Sequence, residues 1–179
     1  MKGNILQKQI RGNKKISYFI GIALIAIVLS IANMLFTQYK LNHPLETAVV
    51  KFAKCTDGDT AHFYIDGENV TVRFIAIDTP ETVKPNVPIE PYGKEASDRT
   101  CELITNAKEI KLEYEETNKI DKYERQLAWI FVDGILLQDD LVSKGLAKVA
   151  YIYDNYKYTE KLIKSEQRAK ENRIGIWRE

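Results

Sequence analysis

Arg73-Phe-Ile-Ala-Ile-Asp78-Thr79-Pro80-Glu81 is the stretch that decides the fold. It begins as an apolar run, the signature of a buried strand. Pro80 has no backbone N–H and pushes Thr79 toward an extended conformation, so the strand is predicted to end here. Asp78 and Glu81 then sit at the mouth of a strand rather than on a solvated helix. Arg73 lies inside the apolar run, where an unpaired charge is costly. Two readings follow. Either Arg73 pairs internally with a carboxylate beside a strand-end turn, or a phosphate site lies next to a metal site. This stretch alone does not separate them.

The segments before it read as strands. AVVKFAKCT (48–56) and TAHFYI (60–65) flank an Asp57-Gly58 turn, and Asp66-Gly67 leads into NVTVRFIAI (69–77) as a third strand. In such a meander the start of the second strand and the end of the third are neighbours. Asp59 is thereby expected to approach Asp78, which favours the metal reading. Beyond it, 82–91 carries three prolines and reads as an exposed loop. Tyr92 to Asn106 reads as a helix with Ala96, Cys101, Leu103 and Ile104 inward. KEIKLEYEE (108–116) and QLAWIFV (126–132) read as strands. LLQDDLVSKG (136–145) reads as a short helix closed by Gly145. AKVAYIY (147–153) is another apolar extended piece, and Thr159 to Asn172 a helix docking through Leu162, Ile163, Glu166 and Ala169. Five strands with about three helices predict an α+β, mainly β domain, a closed barrel of the oligonucleotide-binding (OB-fold) type.

Four zones are expected: a basic leader at 1–15, a hydrophobic segment at 16–36, a short linker at 37–46 and the globular domain at 47–179. The segment 16–36 contains no charge. As a helix rising about 1.5 Å per residue it would span roughly 31 Å, close to a bilayer core. Apart from Lys40, the flanking positive charge is N-terminal, which predicts a single-pass anchor with the domain outside the cytoplasm. Ser30-Ile31-Ala32 leaves open a cleaved signal peptide and a secreted product. The formal net charge of the chain is +1, yet residues 1–36 hold Lys2, Lys8, Arg11, Lys14 and Lys15 and no acid. The remainder is therefore net acidic. A domain that handles phosphates without a global positive field must do so through placed arginines and a metal. Cys55 and Cys101 could pair outside the cytoplasm, but two thiols make no disulfide framework, and two unrelated buried thiols are the expectation. His43 and His62 are isolated, which excludes a zinc site of familiar spacing.

The ordered set of short motifs resembles the thermonuclease (micrococcal nuclease) family. The matching pieces are Asp57-Gly-Asp59-Thr60, Arg73-x4-Asp78-Thr-Pro-Glu81, Tyr92-Gly93-x-Glu95-Ala96, Asp121-Lys-Tyr123-x-Arg125, Leu141-Val-x-x-Gly-Leu-Ala-x-Val-Ala-Tyr151-x-Tyr153 and Ile176-Trp177. The resemblance implies a calcium-dependent nuclease acting on single-stranded DNA and RNA, with weak sequence preference and 3'-phosphate products. It implies that Asp59, Asp78 and the Thr79 carbonyl ligate Ca²⁺, and that Glu81 contacts the attacking water. Arg73 and Arg125 would grip the phosphate, and Lys122, Tyr123, Tyr151 and Tyr153 would line the nucleotide pocket. The protein is expected to act as a monomer. One residue departs from the family pattern: Glu124 stands where a glycine is usual. The alternative reading is a membrane-tethered OB-fold module that binds nucleic acid or protein without catalysis.

Overall fold

The computed structural model describes residues 20–35, 45–82, 88 and 90–178. It divides into two compact units, Met1–Pro44 and Leu45–Glu179. In the first unit, residues 20–35 form a helix, α1, with Ile, Leu, Val and Met side chains exposed all round it. At about 1.5 Å per residue it is roughly 24 Å long. No helix among the described residues is long and apolar enough to cross a membrane. The length of α1 gives no support for a membrane span over the expected 16–36, whose ends, with the leader 1–15 and the linker residues 37–44, lie outside the described residues.

The second unit is built on strands β1 (Glu46–Cys55), β2 (Thr60–Ile65), β3 (Glu68–Phe74), β5 (Ile110–Tyr114) and β6 (Gln126–Val132). β1 pairs antiparallel with β2 and with β5, β2 with β3, and β5 with β6. A parallel pairing of Val72–Phe74 with Gln126–Ala128 closes the circle. This is the predicted five-stranded barrel. The β2–β3 hairpin turns on Asp66 and Gly67, both at positive φ (51° and 88°), as a two-residue hairpin requires. Asp133-Gly134 does the same between β6 and β7 (Ile135–Leu136).

Helix α2 (Gly93–Asn106) follows the loop after Pro80, α3 (Leu137–Ser143) follows β7, and α4 (Thr159–Glu171) precedes a terminal 3-10 turn, Gly175–Trp177. The core is filled by Phe63, Phe74, Ile77, Ile104, Leu112, Trp129, Ile130, Leu137, Leu141 and Leu162, all essentially inaccessible.

Four expectations need correction. The run 69–77 is two strands, not one: β3 stops at Phe74, Ala76 turns at φ 64°, and β4 (Ile77–Asp78) leaves the barrel to pair with β8 (Lys148–Val149). Phe74 through Ile77 are all buried, so no alternation marks the break. Of 147–153 only β8 is strand, because Tyr151 adopts φ 55°. On α4, Leu162, Ser165 and Ala169 face inward while Ile163 is exposed. Finally, Cys55 and Cys101 are not separate thiols: a disulfide joins them, with Cα atoms 5.9 Å apart. Cys101 is accordingly off the buried stripe of α2, which is Gly93, Ala96, Thr100 and Ile104.

Candidate active site

The end of β3 brings the acids together. Arg73 is paired with Thr60 across the β2–β3 ladder and is buried. Its guanidinium has little access to water, so its partners decide its energetics. Nη2 lies 3.0 Å from Asp59 Oδ2 and 3.5 Å from Asp78 Oδ1. Nη1 donates to the Phe74 carbonyl at 3.0 Å. One nitrogen thus bridges the two carboxylates expected among the cation ligands. Thr79 is part of the same cluster, donating its N–H (3.0 Å) and Oγ1 (3.1 Å) to Asp59 Oδ2. Burial pushes the Asp59 carboxyl up to about 6, against the lowering effect of Arg73 and helped by Asp57. Asp57 Oδ1 accepts the Asp59 N–H at 3.1 Å and shapes the turn.

Of the two readings of the opening stretch, the internal pairing is the one observed. Arg73 does pair internally, and the carboxylates it pairs with form one cluster. Lys148, directly opposite Asp78 across β4–β8, adds a second cation at 3.2 Å from Asp78 Oδ2. Nothing in the sequence marked Lys148, because the two-residue ladder that places it is a tertiary contact. Among the described residues no three His, Cys, Asp or Glu side chains gather into a metal cage. The expected set needs only two such side chains and a backbone carbonyl.

Glu81 lies three residues beyond Asp78. Its Oε1 accepts the Thr82 N–H at 3.0 Å, and its N–H donates to Glu90 Oε2. Gly93 at the start of α2 packs on the Pro80 and Glu81 carbonyls, where a Cβ would stand 3.1 and 3.0 Å from the two oxygens.

On the other side of Arg73 opens a cavity of about 480 Å³. Its walls include Arg73, Lys122, Tyr123, Arg125, Tyr151 and Tyr153, six of the predicted site residues. Asp59, Asp78, Thr79 and Glu81 are not among the lining residues; Arg73 lines the cavity and is also ion-paired with the first two. Arg125 is held by Asp121, with Nε 2.8 Å and Nη2 2.7 Å from Oδ2. Burial works to raise the Asp121 carboxyl, but hydrogen bonds from the Arg125 side chain and from the Arg125 and Tyr123 N–H groups bring it below its usual range. Tyr123 lies under both Lys122 Nζ (5.0 Å to the ring centre) and the Arg125 guanidinium (5.4 Å). Tyr151 faces Arg73 at 5.7 Å. Tyr123, Tyr151 and Tyr153 all have exposed rings.

The sequence missed the apolar floor of Phe74, Ile75, Leu127 and buried Tyr156. It also missed what holds the Tyr151–Tyr158 segment down. Two buried carboxylates of and after β5 do so: Glu113 Oε1 accepts Lys157 Nζ (2.7 Å) and Tyr158 Oη (2.8 Å), and Glu115 Oε1 accepts Trp129 Nε1 and Lys157 N–H (both 2.7 Å). Alternation in 108–116 predicts a strand but not where its glutamates end up.

Left-handed residues cluster at this rim. Ala76, Asn118 and Tyr151 line the cavity at φ 64°, 55° and 55°, and Glu124 beside it has φ 63°. Strained backbone of this kind persists where function or packing holds it. The Glu124 side chain is exposed, and the partner of Arg125 is Asp121. A non-glycine residue in this conformation costs about 1–2 kcal/mol. Glu124→Gly is thus expected to stabilise the protein by about 0.5–1 kcal/mol, the rest being lost to the freer unfolded chain, with activity undiminished. Urea melts and initial rates check both halves.

Gly58 is a second conspicuous position. A Cβ there would meet Thr79 Cγ2 and Oγ1 at 2.8 Å and Ala96 Cβ at 2.9 Å. Gly58→Ala is expected to cost about 1–3 kcal/mol by overpacking, read as a lowered urea midpoint.

A barrel of this topology, with two arginines at one cavity and paired acids behind one of them, can be set beside known proteins. The staphylococcal nuclease homologue family model matches residues 71–179. This chain belongs to that family. It is 41% identical over 127 residues to a thermonuclease of Staphylococcus hyicus, covering 71% of this chain and 74% of that protein. It is 36% identical over 169 residues to a thermonuclease of Staphylococcus intermedius, covering 92% and 98%. It is also 44% identical over 133 residues to the SPbeta prophage-derived endonuclease YokF of Bacillus subtilis (strain 168), covering 74% of this chain and 45% of that protein. The match to YokF thus spans less than half of that protein's length.

Proposed function

We propose that the protein is a calcium-dependent nuclease that hydrolyses phosphodiester bonds of single-stranded DNA and RNA with weak sequence preference, leaving 3'-phosphate ends. The observation that carries this reading is the shared position of Arg73 and Arg125 on one cavity, with Asp59 and Asp78 immediately behind Arg73. The donor set fits the ion. Calcium takes hard oxygen ligands, and Asp59, Asp78 and the Thr79 carbonyl are the residues that would hold it. When bound, the ion supplies Lewis acidity and charge neutralisation at the phosphoryl oxygens.

The protein's own residues do the rest. The two guanidiniums are planar and permanently charged, and they bind phosphate oxygens in pairs. Each must loosen from its carboxylate partner to do so. Glu81 positions the attacking water or takes its proton. The water oxygen bonds to phosphorus, and the bond from phosphorus to the 5'-oxygen breaks, that oxygen taking up a proton from solvent to become a hydroxyl while the phosphate stays on the 3' side. The exposed rings of Tyr123, Tyr151 and Tyr153 stack on any unpaired base, which favours single strands over sequence. All these residues come from one chain, so a monomer suffices.

The hydrophobic segment 16–36 tethers the domain to the membrane on its extracytoplasmic side. Its freedom from charge, the apolar side chains exposed around α1 and the N-terminal lysines support this reading. Cell fractionation with protease protection tests it: a cytosolic, protease-shielded domain would exclude it, and a shortened form in the medium would mean leader cleavage.

The central test is incubation of the full-length protein with single-stranded DNA, with calcium or with a chelator. Calcium-dependent cleavage is expected. Cleavage that ignores the chelator would remove the calcium assignment, and binding without cleavage would favour a non-catalytic module. Glu81→Gln is expected to lower kcat by roughly 10²–10⁴-fold with the fold intact. Near-native turnover would show that another group handles the water.

A further inference from the structure

We propose that the Cys55–Cys101 disulfide is a positioning cross-link for the acidic loop, so that the grip of Asp59 on its cation depends on the oxidation of that bond. The cation part of this inference rests on the reading above. Cys55 ends β1, and the loop that carries Asp57, Gly58 and Asp59 begins at the next residue. Cys101 sits in the middle of α2. Its neighbour Thr100 is fully buried and donates its Oγ1 hydrogen to the Gly58 carbonyl at 2.7 Å. Ala96, one turn earlier, closes on Gly58 so tightly that no Cβ fits between them. The loop is therefore held against one face of α2 at three successive points, and the covalent one is at its root.

The energetics make the covalent point matter. Asp59 is buried and is carried by this loop, so its position follows wherever the loop is held. A hydrogen bond and a packing contact only weakly oppose local opening of the loop. A cross-link resists it for as long as the bond is intact. Both cysteines are partly accessible, so a small thiol reaches them. A dithiol reductant gives up two electrons and two protons: the Cys55–Cys101 bond becomes two thiols, and the reductant closes to its own disulfide. A disulfide oxidant reverses the exchange. Oxidising compartments keep the clamp closed and thiol-rich ones open it.

The test uses the full-length protein, oxidised and after reduction with dithiothreitol, at 25 °C. Two measurements are made: calcium affinity by calorimetry, and amide hydrogen exchange across residues 56–60. On reduction, calcium binding is expected to weaken about tenfold, and the loop amides to exchange about tenfold faster, while the barrel strands stay protected. Oxidised glutathione should restore both. The Cys55→Ser/Cys101→Ser double variant should match the reduced protein and ignore dithiothreitol. Unchanged loop exchange on reduction would overturn the proposal, as would global unfolding, which makes the bond a general staple. If the double variant does not fold, reversible reduction of the native chain decides the matter. An oxidised protein that binds no calcium overturns the cation reading, and hydrogen exchange then still decides whether the loop is clamped.

Discussion

Arg125→Ala is expected to lower kcat about a thousandfold while leaving the urea midpoint within experimental error of the native protein. The reason is the separation between what Arg125 does for the fold and what it offers a substrate. Its structural partner is Asp121, four residues earlier in the same turn, and that carboxylate keeps its hydrogen bonds from the Tyr123 and Arg125 N–H groups when the guanidinium is removed. Its guanidinium nevertheless lines the cavity opposite Arg73 and rests on the Tyr123 ring. A phosphodiester under attack gathers negative charge on its equatorial oxygens, and one of two matched forks would then be missing. The loss should fall on kcat and kcat/KM together, as for an interaction made chiefly in the transition state. Arg125→Lys should recover only a small part, since an ammonium cannot bind two oxygens in a plane. A near-native kcat in Arg125→Ala would place the phosphate elsewhere.

Asp59→Asn should separate activity from stability in the opposite direction. The variant is expected to lose calcium binding and cleavage, yet to be more stable than the native protein above neutrality in the absence of divalent ions. Burial raises the Asp59 carboxyl from 3.8 to about 6, so the folded protein favours the protonated form. That contribution is fully present below pH 3.8 and is lost as pH rises through 6. At pH 8 the ionised group therefore costs the folded state about 3 kcal/mol relative to a neutral one. Asparagine avoids this cost and still accepts the Thr79 N–H, but it gives up the pairing with Arg73, which keeps Asp78 and the Phe74 carbonyl. A net gain of about 1–3 kcal/mol at pH 8, shrinking toward zero below pH 4, is the expected result. Urea unfolding of both proteins across this pH range measures it. A variant that is less stable at pH 8, or a difference independent of pH, would mean that Arg73 rather than burial governs this carboxylate.

Both expectations follow from a site in which the charged groups are already paired with one another. Arg73 is engaged by Asp59 and Asp78, Arg125 by Asp121, and Lys148 by Asp78. This pre-pairing keeps buried charges compensated and aligned. On the proposed function it also means that substrate and cation would exchange partners with the protein, not simply occupy vacant donors.

Local chemistry determined much of this from the sequence alone. The glycine turn at Asp66-Gly67, the alternation in the strands and the apolar stripe of α2 act over a few residues, and they predict the barrel and its first hairpins. The same is true of the breaking effect of Pro80 and of the ordered acids and arginines that bring Asp59, Asp78 and Arg73 together. Only the tertiary structure decided the rest. A uniformly apolar run hides the turn at Ala76, because every residue from Phe74 to Ile77 is buried whichever way the chain bends. The pairing of β4 with β8, and with it Lys148 on Asp78, joins segments 70 residues apart that carry no mutual signal. Cys55 meets Cys101 because α2 packs across the end of β1, and thiol spacing does not encode that approach. Composition and pattern report forces between near neighbours; which distant groups meet depends on how the whole barrel closes.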